Sequence, residues 1–432
     1  MSTLHSSAKG RKVAGAFAVA ASMVLGLGAC SAQPAEEGNG DSTTVTIWSW
    51  RTEDQAAMDR IFDVFEAKTP GIVVDFQTIP DAEYQNRMST ALQGGVGPEI
   101  VQLKAYGELQ PLVDAALIEP LDELVPELAT LPESTKVGLR GISDGKLYGV
   151  PYSIVNTGVF YNTDIFAEHG LSVPTTWDEL KAVSEKLLAA GITPIAAGGA
   201  NGSSWALEMA LAAVAPSQIG ADFYTEAMAG TVDFTDARYV AALQRMADML
   251  PYYPAGFEGV DYTAATQMFI GGDAAMFIGG SFENGSFASQ NPDLKFSIFP
   301  YPTNNAGETP VTSSFVDGSY GLTADAKNRD AALTVLNWMA TAEFAQLFMD
   351  ELGWPPARND VQANNPILVE MMKMMEHQTP YLTHVGFKWG SPTASSVLQP
   401  AFIDMITGKV SAADVAKQMT DAVSAWFKPN TY

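Results

Sequence analysis

The stretch Leu147–Ile165, LYGVPYSIVNTGVFYNTDI, holds two apolar, β-rich runs around a polar centre, Ser153 to Thr157. Val150 precedes Pro151, and a residue before proline is biased out of helical backbone, so the chain enters that centre extended. Val159-Phe160-Tyr161 resumes a strand, and Asn162-Thr163-Asp164 has the residue types of a turn or helix N-cap. Two readings fit such a segment. It is a plain buried strand with a bulge, or it is the seam between two lobes, where polar side chains face a ligand.

Upstream, Thr44–Trp48 alternates as a strand, a helix follows with Met58, Ile61, Phe62 and Phe65 on one face, and Pro70-Gly71 ends it. Ile72–Phe76 is a second strand, Asp81 to Gln93 a second helix and Ile100–Leu103 a third strand. This β-α-β-α-β alternation predicts a parallel α/β sheet. Ligands of open α/β sheets sit beyond the carboxyl ends of the strands, which singles out Trp50, Arg51, Lys104, Tyr106 and Glu108. Trp50 is either a stacking platform or packing under a loop. The Lys104-Tyr106-Glu108 mixture suits a sugar, whose hydroxyls take charge-assisted hydrogen bonds and whose ring faces take aromatics; a solvated Lys–Glu pair is the plainer alternative.

Downstream, IAAGGANGSSW (Ile195–Trp205) is a strand exit into a Gly/Ser loop, which adds Trp205 to the candidates, with helix packing as the alternative. Met371 to Met375 beside His377 reads as flexible core packing, and no metal is expected.

The chain has 432 residues, 47% of them hydrophobic, enough for one or two large cores. Its formal net charge of −25 disfavours nucleic acid as a partner. Lys9, Arg11 and Lys12 precede an apolar run, Val13 to Leu27, in the manner of a signal peptide. The run ends Leu27-Gly28-Ala29-Cys30, which resembles the bacterial lipobox, and the single cysteine of the chain sits there. That resemblance implies cleavage before Cys30 and its lipidation, a membrane anchor on an extracytoplasmic protein. Ser31 to Ser42, SAQPAEEGNGDS, has no hydrophobic face and reads as a tether.

The order of motifs resembles the sugar-specific extracellular solute-binding proteins of ABC importers, similar to the maltose-binding protein. Tyr148-Gly-x-Pro151, an apolar strand and Tyr161-Asn-x-Asp164 look like the first crossover of that family. Thr69-Pro-Gly-Ile, Gly97-Pro-Glu-Ile-Val and Pro174-x-Thr176-Trp177 are further likenesses. Phe269–Asn284 is similar to the family's Gly-x-Ala-Ala-Met, strand, Gly-x-Trp run, with Phe282 in the tryptophan position and Glu283 and Asn284 beside it. Ser313–Leu322 resembles its Gly-rich return strand, which brings in Phe315, Asp317 and Gly318. Gly353-Trp354-Pro-Pro-Ala-Arg358 matches the third crossover, with Trp354 either a cleft contact or hinge packing, and Trp389 stands where the family often has an aromatic contact.

The resemblance implies a periplasmic-binding-protein-like α/β fold, two lobes joined by three crossovers with the cleft between them. The expected division is residues 1–29 as leader, 30–43 as lipidated cysteine and tether, 44–151 with 312–353 as the first lobe, and 152–311 with 354–432 as the second. Trp50, Tyr106, Tyr152, Trp205, Phe282 and Trp389 are expected to stack sugar faces; Lys104, Glu108, Asn156, Glu283 and Asp317 to bind hydroxyls. The expected partners are a carbohydrate and the permease of an ABC transporter, for a monomer that needs no cofactor. The rival is a secreted glycoside hydrolase or other carbohydrate-active enzyme. It needs two carboxylates at a set separation, and no local motif pairs them. No HExxH, GxSxG or phosphate loop is present. An adhesin would show repeats, and none are seen.

Overall fold

The computed structural model describes residues 42–429. The leader, Cys30 and most of the tether lie outside these residues. Two mixed sheets organise the chain. In the first, β1 (Thr43–Ser49) lies between β2 (Ile72–Thr78) and β3 (Ile100–Lys104), all parallel. β4 (Val150–Pro151) is the far edge of that sheet. In the second, β5 (Ile154–Asn162) is the central strand, and all its residues but Tyr161 are buried. β6 (Thr193–Ala196) and β7 (Ala274–Gly280) lie to one side, and β8 (Phe296–Phe299) pairs with β5. β9 (Thr312–Val316) and β11 (Gln378–Pro380) complete the second sheet, and β10 (Gly318–Leu322) inserts between β3 and β4 of the first.

Each sheet has its own core. Val45 and Ile47 of β1 pack with Phe62 and Phe65 of the helix Gln55–Lys68 and with Leu336 and Phe344. Val159 of β5 and Met276 of β7 pack with Leu180, Leu211, Leu243 and Phe402 from the helices around them. Local signals set the ends of elements. Asn162 caps the helix after β5 by accepting from the Ile165 N–H at 3.0 Å, and Thr176 and Glu179 form a capping box at Trp177.

The chain passes between the sheets three times. β4 runs into β5 through Tyr152 and Ser153. The second passage is the single residue Asp317, between β9 and β10. The third is Gly353 to Pro356, where Ser153 Oγ donates to the Pro355 carbonyl at 2.6 Å and Ile154 N–H donates to it at 3.1 Å. Thr312–Val316 pairs with β5, Phe315 opposite Val155, so it belongs with the second sheet, and only from Gly318 does the chain pair with β3.

Candidate ligand-binding cleft

A cleft of about 590 Å³ opens between the two lobes. On the first-lobe side, Ser49 at the end of β1 fixes the turn that follows. Its Oγ donates to Gln102 Oε1 at 2.6 Å and accepts from the Arg51 N–H at 3.0 Å. Trp50 thereby faces the cleft, with its ring edge-on to Tyr84 at 5.6 Å and the Lys104 ammonium 5.4 Å from its centroid. Lys104 is paired with Asp81 at 2.6 Å. The Arg51 guanidinium lies 4.7 Å over the Trp354 ring and pairs with Asp54 at 3.0 Å and Glu53 at 2.9 Å. Burial alone would lower its pKa, but Asp54 and Glu53 hold it above the ordinary value.

At the seam, Asp317 accepts from Tyr152 Oη at 2.8 Å, and burial raises its pKa against the pull of Arg51. Gly318 allows this approach: a Cβ there would lie 2.6 Å from the Leu103 carbonyl and 2.9 Å from the Trp50 ring. Tyr106 adopts a left-handed backbone, φ +62°, uncommon for a side chain of its size. Its Oη accepts from the Val316 N–H at 3.1 Å, so a first-lobe turn is tied to the second crossing. Beside it Glu108 pairs with Lys388 at 3.0 Å.

The second-lobe wall is more aromatic. Trp205 and Tyr262 have ring centroids 4.7 Å apart, and Phe282 follows at 6.4 Å from Trp205. Tyr262 Oη lies 2.9 and 3.0 Å from the two oxygens of Glu283, which is 1% exposed. Burial pushes Glu283 up to about 8, although the Tyr262 hydrogen bond works against it. Met209, His384, Lys388 and Gln399 complete the wall.

Of the residues singled out by sequence, Trp50, Arg51, Lys104, Tyr106, Glu108, Trp205, Phe282, Phe315 and Asp317 line this cleft. Others stand behind it. Tyr152 supports Asp317, Glu283 supports Tyr262, and Trp389 packs edge-on against Tyr106 at 5.7 Å. Trp354, 2% exposed, lies beneath Arg51. Asn156 donates to Thr312 Oγ1 at 2.8 Å, joining β5 to β9, and Asn284 donates to the Gly353 carbonyl at 2.8 Å, at the third passage. Glu53, Asp81, Tyr262, His384, Lys388 and Gln399 line the cleft without having been singled out. Glu53 and Asp81 follow the exits of β1 and β2 and obey the same strand-end rule as Trp50; the others carry no local signal. Among the described residues, no group of histidines, cysteines and acids could hold a metal ion.

Comparison with known proteins bears on this geometry. The multiple sugar-binding protein of Streptococcus mutans is 23% identical over 411 residues, 93% of this chain and 94% of its own length. The alpha-glucosides-binding periplasmic protein AglE of Rhizobium meliloti is 25% identical, over 86% of this chain and 85% of its own. Among solved structures, the solute receptor AcbH, described as preferring β-D-galactopyranose, superposes with a TM-score of 0.77 at 22% identity, covering 90% of this chain and all of its own. The GacH receptor of Streptomyces glaucescens, solved in complex with acarbose, gives 0.72 at 20% identity over 90% of this chain and all of its own. The sequence profile of the bacterial extracellular solute-binding proteins matches residues 48–346, and the chain belongs to that family.

Proposed function

We propose that the protein captures a sugar in this cleft by closing its two lobes and delivers it unchanged to the permease of an ABC transporter. The observation that carries the reading is the lining. Trp50 on one wall and Trp205, Tyr262 and Phe282 on the other offer faces for the C–H side of a sugar ring. The cations beside them are already paired: Arg51 with Asp54, Lys104 with Asp81, Lys388 with Glu108. Such pairs bind hydroxyls through charge-assisted hydrogen bonds without demanding a charged ligand. The spread of aromatic groups favours an oligosaccharide. The sugar ligands of the relatives support the same class.

In this reading residues 1–29 are removed, Cys30 carries lipid, and residues up to 43 tether a monomeric body on the outer face of the membrane. Among the described residues, no helix is long and apolar enough to cross a membrane. Three backbone passages between the lobes suit hinge closure.

Thermal unfolding against galactose, raffinose, maltotriose and a panel of polyols tests the assignment. A ligand at a hundred times its Kd stabilises the fold by about 2.7 kcal/mol. A sugar that raises the midpoint and is recovered intact supports capture. A sugar returned cleaved overturns it in favour of a glycoside hydrolase. For the anchor, Cys30→Ser releases the protein from the membrane fraction; retention there overturns the lipidation.

A further inference from the structure

Behind the second-lobe wall lies Glu208, only 1% exposed, on the helix Ser204–Val214 that also carries Trp205 and Met209. Three uncharged groups donate to it. Thr383 Oγ1 at 2.7 Å and Ser395 Oγ at 2.6 Å meet Oε1, and Gln399 Nε2 at 2.7 Å meets Oε2. His384 Nδ1 lies 3.9 Å from Oε1. The His384 ring is held by stacking on Tyr381 at 4.6 Å and by Phe315 at 5.2 Å. Its Nδ1 is buried with no hydrogen-bond partner among the described residues, yet the ring lines the cleft, so Nε2 is the nitrogen a ligand meets.

A neutral imidazole carries its one proton on either nitrogen. Burial pushes the His384 pKa well below the ordinary value, and Lys388 and Lys104 push the same way, so the ring is neutral at pH 7. Only Nδ1 faces a carboxylate. A proton there is attracted to Glu208, whereas a proton on Nε2 would leave the Nδ1 lone pair aimed at negative charge. Gln399 is constrained in the same way. Its amide nitrogen is committed to Glu208, which leaves the amide oxygen as the free end of a side chain that lines the cleft.

We propose that Glu208 is a positioning residue that fixes His384 as the Nδ1–H tautomer and Gln399 with its amide oxygen outward, so that this part of the wall reads a hydrogen-bond donor on the ligand. The group selected is a hydroxyl or an amine. An ether or carbonyl oxygen placed there would face two acceptors and leave them unpaired, which disfavours it. The inference draws on the sugar reading only for the donor being a hydroxyl, and the tautomer is measurable without any ligand, so the two can fail separately.

The test is long-range nitrogen–proton NMR on protein labelled with 15N-histidine, the His384 signals being assigned by their loss in His384→Gln. At pH 7 the wild type should show Nδ1 protonated and Nε2 bare, by at least about tenfold over the other tautomer. An Nε2–H tautomer or an imidazolium overturns the proposal, and this wild-type result needs no variant to fold. In folded Glu208→Gln the Nε2–H share should rise severalfold. A purely structural carboxylate would leave the ratio unmoved, and an unmoved ratio overturns the positioning role.

Discussion

The first-lobe wall of the cleft comes from short runs that directly follow strands: Trp50 to Glu53 after β1, Pro80 and Asp81 after β2, Lys104 to Glu108 at the end of β3. The second-lobe wall is gathered from distant elements, Trp205 and Met209 on one helix, Tyr262 on another, His384 and Gln399 nearly 200 residues after Trp205. Their electrostatics differ as well. Asp81 and Glu108 of the first wall are partly exposed and paired with lysines. The second wall is backed by two carboxyl groups, Glu208 and Glu283, each 1% exposed and hydrogen-bonded to uncharged donors. One wall keeps its charge by ion pairing near water, while the other depends on burial. A pH change or a substitution should therefore affect them differently.

The largest expected effect separates the walls by pH. The Glu283 carboxyl sits at about 8 in the fold, raised by burial from the ordinary 4.5. Below the ordinary value both folded and unfolded chains hold the proton. As pH rises from there to 8, the unfolded chain releases it first, so stability present at acid pH is lost, by something on the order of 3–5 kcal/mol. Glu283→Gln has no such proton. Its melting temperature should gain on the wild type steadily from pH 5 to 8 and then stay level; parallel curves would refute the buried neutral acid. His384, whose depressed pKa makes the opposite contribution near pH 6, is common to both proteins and cancels.

Next comes the contact between the walls. A Cβ on Gly107 would lie 1.8 Å from the Lys388 carbonyl oxygen. Gly107→Val should destabilise by about 1–3 kcal/mol, since backbone has to move to admit it. It should also weaken sugar binding by holding the Tyr106–Glu108 turn off the second lobe. Unchanged unfolding and affinity would show that the two segments do not touch in solution.

Single-ring removals compare the walls directly. Trp50→Ala should cost about tenfold in affinity, because the first wall has one principal ring. Trp205→Ala should cost less, with Tyr262 4.7 Å away to share the stacking. Calorimetric titration with the stabilising sugar gives both values, and the reverse order would move the main platform to the second wall. The smallest effect belongs to Glu108→Gln. Its partly exposed pair with Lys388 is worth about 0–1 kcal/mol, and its contribution should fade in molar salt. A larger, salt-insensitive loss would make Glu108 a ligand contact.

This contrast also explains what the sequence made legible. The strand-exit rule found Trp50, Arg51 and Lys104 because a strand and the loop after it are neighbours in sequence. The rule covers Asp81 equally well. Tyr262, His384 and Gln399 reach the cleft only through the packing of helices on the second sheet, and nothing in their local sequence separates them from ordinary helix residues. Asn156 is the reverse case. A polar residue inside a buried strand resembles a ligand contact, yet here it serves strand β9 through Thr312. Ser313–Leu322 reads in the sequence as a single Gly-rich strand, and only its pairing partners reveal that the chain changes sheets at Asp317. The capping signals at Asn162 and Thr176 were legible because they act within a few residues.

The insertion of β10 between β3 and β4 has a consequence for the order in which the molecule is completed. A chain emerging from its amino end delivers β1 to β4 within the first 151 residues, yet the strand that joins β3 to β4 comes only with residues 318–322. The whole of β5 to β9 has to be made in between. The first sheet is thus closed late, by a contact of long sequence separation, and such contacts slow folding. A newly made chain therefore keeps an unfinished first sheet through most of its synthesis.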